Sequence, residues 1–187
     1  MNRLRIALDI DDTLGGFYQA YKEKFNADKN PKVMEGYIIT RNVYKLRRDR
    51  DFWLSLPKID WINFIPEMYC TKRINPKSWS RKWLIDNGFP DRPIYQMIYQ
   101  HGNKADLIKG RCDVLIDDSV SNVYKCIQSG VPALLIDRPH NQYAGPEYRI
   151  YSLDIDEIVE AYRILNGKTT FWLERLGWNG FSSGRVL

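Results

Sequence analysis

The sequence predicts an α/β fold, a mostly parallel sheet with helices on both faces. Three observations carry that expectation. Short apolar runs with the length of buried strands recur at residues 4–10, 67–70, 93–99, 114–116 and 131–136. Helical spacing fills the intervals, and strands alternating with helices build parallel sheets by crossover. Two of the runs end in crowded carboxylates, Asp9-Ile10-Asp11-Asp12 and Asp117-Asp118. Ligands of open α/β sheets sit beyond the carboxyl ends of the strands.

In the first run Leu4, Ile6, Ala7, Leu8 and Ile10 read as a buried strand, too short for a helix before the acidic cluster. Gly15-Gly16 then supplies a turn, and Phe17, Tyr18, Tyr21 and Phe25 follow at helical spacing until Asn, Asp and Pro between 26 and 31 break it. From Lys32 to about Phe64 strand signals vanish. Val43, Tyr44 and Leu46 predict a helix leading into Arg47-Arg48-Asp49-Arg50-Asp51, read as a solvated face, and then into Phe52-Trp53-Leu54. A strand-free stretch of this length between two core strands predicts an inserted helical cap. Residues 15–64 are assigned to it, and residues 1–14 and 65–166 to the core.

Residues 67–70 form the next strand, ending at Thr71-Lys72-Arg73. Asn75 as N-cap with Pro76 at the first helical position opens a helix that carries Trp79, Trp83 and Leu84 and stops at Gly88. His101-Gly102-Asn103 turns the chain after the next strand-like run, and Lys104 begins a short segment. After Asp118, Val120, Val123, Tyr124 and Ile127 make one apolar stripe closed by Gly130. Residues 149–152 give a short last strand, and Asp154 with Glu157 a capping-box start for a helix carrying Ile155, Ile158, Val159 and Tyr162. The stretch 167–187, with Phe171, Trp172, Trp178 and Phe181, is too apolar for a solvated appendage and is expected to dock on the core or on a second copy, a possible homodimer.

Composition excludes several classes. At 187 residues, with 44% hydrophobic and 27% charged residues, the chain is a globular domain of ordinary core size. No apolar stretch spans a membrane and no signal-peptide pattern opens the chain, so a cytoplasmic protein without a membrane partner is expected. Cys70, Cys112 and Cys126 lack metal-ligand spacing and read as reduced, buried thiols. The net charge of +5 permits an anionic partner, nucleic acid included, without favouring it over a solvated surface.

Clustered carboxylates at two strand ends repel unless a cation holds them, and the set suits Mg²⁺, which takes few carboxylates plus water and phosphate oxygens. Phosphoryl transfer through a covalent aspartate needs a carboxylate nucleophile, a general acid, a metal and donors around the phosphate. Helix capping is the plainer alternative for Asp117-Asp118.

The order Asp9-Ile10-Asp11-Asp12-Thr13, Thr71, Lys104, Leu115-Ile116-Asp117-Asp118 resembles the four motifs of the haloacid dehalogenase-like (HAD) phosphohydrolase superfamily. The resemblance implies a three-layer Rossmann-like parallel-sheet core with a small helical cap inserted after the first strand. It further implies Asp9 as nucleophile and Asp11 as general acid and then base. Asp9, the Asp11 carbonyl and Asp117, assisted by Asp118, would bind Mg²⁺, and Thr71 and Lys104 would hold the phosphate; Lys109 is close enough in sequence to compete for that last role. The cap placement and its aromatic residues are similar to the 5'(3')-deoxyribonucleotidase branch, which implies a base-and-sugar pocket from Phe17, Phe52 and Trp53; Lys72, beside Thr71, is counted with the substrate-binding residues. Hydrolysis of nucleotides is therefore expected. Another small phosphate ester or nucleic-acid 3' ends are the second expectation, and a non-catalytic nucleotide-binding module is the third.

Overall fold

In the computed structural model, residues 3–34, 36–97 and 102–175 are described. Six parallel strands form one sheet in the order β3-β2-β1-β4-β5-β6. They are β1 (Ile6–Leu8), β2 (Met68–Thr71), β3 (Ile94–Gln96), β4 (Val114–Asp117), β5 (Ala133–Ile136) and β6 (Arg149–Ile150). Side chains alternate across the strands, so Ile6 and Leu8 enter one core cluster with Val114, Ile116, Leu134 and Ile136, while Ala7, Leu115, Ala133 and Leu135 enter the other. Both faces are covered, as a parallel sheet requires. Helices α4 (Lys77–Asp86) and α7 (Ile155–Arg175) cover the first face, and α5 (Lys104–Ile108) with α6 (Val120–Gln128) the second.

The chain runs outward from β1 to β2 and β3, then returns to place β4 on the other side of β1. This reversal opens a crevice at the carboxyl ends of β1 and β4, and the acidic clusters stand there.

Between β1 and β2 lie α1 (Phe17–Lys24), a 3₁₀ turn (Pro31–Met34), α2 (Gly36–Leu46) and α3 (Arg50–Leu54). Entry and exit of this segment are tied together: Gly16 N donates to the Pro57 carbonyl at 2.9 Å, and Ile59 N to that of Leu14 at 2.9 Å. The helices share a polar link inside their own core, where Tyr21 Oη donates to the Val33 carbonyl and accepts from Asn42 Nδ2. Arg47 and Arg48 fall in an exposed turn between α2 and α3 rather than on a helix face.

Several expected boundaries shift. Helix α4 begins at Lys77 with Pro76 as N-cap, because Asn75 is buried and donates to the Pro76 carbonyl and Ser80 Oγ instead of capping. In α6 Tyr124 is exposed and Cys126 takes the buried position, with Asn122 beside it. Glu157 reaches back past Asp154 to the backbone N–H groups of Tyr151 and Ser152. Helix α7 continues through Asn166-Gly167, where a separate tail was expected to begin, and that tail from residue 176 onward lies outside the described residues, as does His101. Cys70, Cys112 and Cys126 are free and buried. Among the described residues no helix is long and apolar enough to cross a membrane.

Asp49 caps α3 by accepting from Phe52 N at 3.0 Å and pairs with Lys24 at 2.7 Å. The Lys24 hydrogen bond first, then that of Phe52, lowers its carboxyl below the ordinary range. A carboxyl lowered on folding stabilises above its unfolded value and loses that contribution as pH falls through the folded value. Asp49→Ala is therefore expected to cost about 1 kcal/mol at pH 7, with the gap closing on acidification. Urea unfolding of both proteins at pH 7 and pH 3 checks this, and equal stabilities at pH 7 contradict it.

Candidate active site

The register of the sheet brings the two acidic strand ends side by side. Leu8 pairs with Ile116, and Asp9 N donates to the Ile116 carbonyl at 3.0 Å, so Asp9 and Asp117 leave neighbouring strands at one level. Carboxylate oxygens of Asp9, Asp117 and Asp118 all lie within 4.8 Å of one another, a spacing at which the three can hold one metal ion.

Lys104 enters this group from the first residue of α5, where Asn103 caps the helix by accepting from Ala105 N. Its ammonium is buried and donates to Asp9 and, at 2.6 Å, to Asp117 Oδ2. Burial alone would drive the proton off, but Asp117 and Asp9 outweigh it and hold Lys104 protonated well above the usual lysine range. Lys109, its competitor in the sequence, is exposed at the end of α5.

One ammonium does not balance the pocket. Burial, reinforced by Asp117, Asp118 and Asp11, pushes the Asp9 carboxyl well above its ordinary range against the pull of Lys104. Burial also raises Asp118, opposed by its hydrogen bond with His140. These raised carboxyls mark negative charge for which a divalent cation is the fitting counter-ion. Asp117 itself is fixed on both oxygens: Ser119 N and Asn122 Nδ2 donate to Oδ1, and Asn122 Nδ2 reaches Oδ2 at 3.2 Å.

The turn after Asp9 aims the next carboxylates. Asp12 sits at φ 54°, in the left-handed region that Asp tolerates better than most residues, and its N–H donates to the Gly15 carbonyl at 2.7 Å. Its Oδ1 accepts from Tyr18 N at 2.8 Å at the start of α1, and burial with the Asp118 charge raises its carboxyl to about 7. Asp11 keeps 22% of its side chain exposed and pairs with Arg73 at 2.7 Å. Thr71, at the end of β2, is fully buried and accepts from Arg73 N at 3.2 Å.

Lys72 is half-buried, lowered by burial and then by the Lys104 charge, and donates to Asn122 Oδ1 at 2.7 Å. Phe17, Phe52 and Trp53 do come together: Phe17 stacks on Trp53 with centroids 5.6 Å apart and meets Phe52 edge-on at 5.9 Å. Trp53, however, has Phe17 on it, the Arg73 guanidinium 5.2 Å from its ring centroid and its Nε1–H on the Leu46 carbonyl. It is 1% exposed, leaving no open face for direct stacking, and Phe17 is the ring of the three that remains only partly buried.

Residues that the sequence did not single out complete the surroundings. Arg73 grips Asp11, and Asn122 orients Asp117. His140 Nε2 lies 2.8 Å from Asp118 Oδ2, at the pocket rim. Arg138 donates to the carbonyls of Asp12 and Thr13 and pairs with Asp60 at 2.7 Å, holding the turn from behind. Asp137 pairs with Arg149. Only Arg73 carried a usable signal, standing two residues beyond Thr71 at a strand end.

No family model matches the chain, and no curated protein matches it. Among solved structures it is similar to the HAD-hydrolase YfnB from Bacillus subtilis, in an orthorhombic crystal form bound to magnesium. The similarity has a TM-score of 0.52 at 16% identity and covers 88% of this chain and 100% of that one. The fold is HAD-like. In that fold the pocket described above occupies the carboxyl ends of the central strands.

Replacing Lys104 removes the only cation that touches both Asp9 and Asp117 among the described residues. Lys104→Met leaves two buried carboxylates without their cationic partner and is expected to cost about 3–5 kcal/mol. Denaturant unfolding measures the loss, and a change below about 1 kcal/mol contradicts the ion-pair geometry.

Proposed function

We propose that the protein is a Mg²⁺-dependent phosphatase that hydrolyses (deoxy)nucleoside monophosphates through an aspartyl-phosphate on Asp9. The observation that carries the reading is the convergence of Asp9, Asp117 and Asp118 around one point beside the buried Lys104. The HAD-like fold and the magnesium bound by YfnB support it.

Asp9, Asp117 and Asp118, with the Asp11 carbonyl, would hold the ion. When bound, it supplies the positive charge that offsets the carboxylates and an incoming phosphate. Asp9 is the nucleophile: its oxygen bonds to phosphorus as the ester P–O bond breaks, and Asp11 gives the leaving oxygen a proton. Water then attacks phosphorus, Asp11 takes its proton, and the Asp9–phosphorus bond breaks to release orthophosphate. Lys104 holds Asp9 in place and faces the phosphate, and Thr71 completes that side. Helices α1 to α3 serve as the cap. Phe17, backed by Phe52 and Trp53, forms the aromatic wall for the base, where stacking on one ring contributes about 1–3 kcal/mol. Three free, buried thiols support a reducing, cytoplasmic setting.

Phosphate release from deoxy- and ribonucleoside monophosphates and from sugar phosphates, with and without Mg²⁺, tests this. Release is expected from nucleotides, only with Mg²⁺, and Asp9→Asn should lower it at least about 10³-fold. Release from sugar phosphates alone removes the base wall from the account. Silence across the panel contradicts the phosphatase itself.

A further inference from the structure

We infer that Arg73 is a positioning residue that fixes the carboxyl of Asp11, and that Trp53 of the inserted helices and Trp83 of the core hold Arg73 in place for that task. The inference rests on the phosphatase reading, in which Asp11 moves both protons.

Arg73 is 1% exposed. Its guanidinium carbon lies 5.2 Å from the Trp53 ring centroid and 5.5 Å from that of Trp83. Nε donates to Asp11 Oδ1 at 2.8 Å, and Nη2 stands 2.7 Å from the same oxygen without hydrogen-bond alignment. Nη1 reaches Ser80 Oγ at 3.5 Å, and the backbone N–H donates to Thr71 Oγ1. Both indoles are themselves anchored, Trp53 Nε1 on the Leu46 carbonyl at 2.8 Å and Trp83 Nε1 on that of Leu56 at 2.9 Å.

Stability does not explain this arrangement. Removing a guanidinium from water costs about as much as one carboxylate partner returns, and apolar side chains fill such a slot equally well. What only arginine supplies is a planar fork of fixed direction. Both contacts fall on Oδ1, so the oxygen left for a reacting group is Oδ2, on a side chain that keeps 22% exposure. One of the two rings comes from α3, so the seating of the inserted helices sets the orientation of the acid.

The two half-reactions separate this role from a structural one. With an alkyl ester the leaving oxygen needs the Asp11 proton in the first step. With p-nitrophenyl phosphate it departs as the phenolate and needs none, while hydrolysis of the Asp9 acyl phosphate needs Asp11 as base for either substrate. Arg73→Lys keeps the charge and removes the fork. Stopped-flow turnover should then show a p-nitrophenolate burst within about threefold of the wild-type rate. The steady state that follows should be about 100-fold slower, and the first turnover of the best alkyl phosphate should fall about 100-fold as well. Equal losses in the first turnover of both esters, or no loss, overturn the inference. If Arg73→Lys does not melt cooperatively, Trp83→Phe decides by the same readout, with losses of about tenfold. A wild-type protein silent on both esters overturns the phosphatase reading rather than the role of Arg73.

Discussion

Three buried carboxylates that must share one small space are the constraint on which this molecule is built. Asp9 and Asp117 leave adjacent parallel strands at the same level because Leu8 and Ile116 are in register. Nothing in the sheet relieves their repulsion. Relief comes from Lys104, delivered by the first turn of α5, and from donors on Asp117 supplied by Ser119 and Asn122. Both helices behind those donors pack on the face that holds Ala7, Leu115 and Leu135. The core on that side therefore fixes the charges on the other end of the strands.

The opposite face has a different task. Its cluster includes α4, α7 and the aromatic residues of the inserted helices, so the insertion is packed onto the core through Phe17, Phe52, Trp53 and Trp83. Gly15 shows how close that packing is, since a Cβ there would stand 2.9 Å from the Trp83 ring. Within the seam lies Arg73, the point at which aromatic packing touches the acidic pocket. Apolar burial thus sets the direction of a charged group, and the charged group sets the direction of Asp11.

Much of this was legible in the sequence because its signals are local. Asp9, Asp11, Asp117 and Asp118 follow apolar runs directly, and alternation of strands and helices announces the sheet. Thr71 and Lys104 stand out by their order along the chain, and Lys104 and Lys109 differ in burial rather than in type, a difference that only the fold displays. The missed residues act at long range. Arg73 meets Asp11 across 62 positions and Arg138 meets Asp12 across 126, and no periodicity encodes such contacts. Trp53 was misplaced for a related reason: an aromatic residue near a site has the same sequence signature whether its face is open or already covered by Phe17 and Arg73. The Asn75 and Tyr124 discrepancies are competitions between a local rule and tertiary burial, and burial won both.

The central claim is that Asp9 carries the phosphoryl group. Acid quenching of the protein during turnover of a ³²P-labelled phosphate ester, followed by peptide mapping, tests it directly. The account predicts acid-stable, hydroxylamine-sensitive label on the peptide that contains Asp9. Phosphate release with no label on the protein, or with label on any other residue, contradicts it.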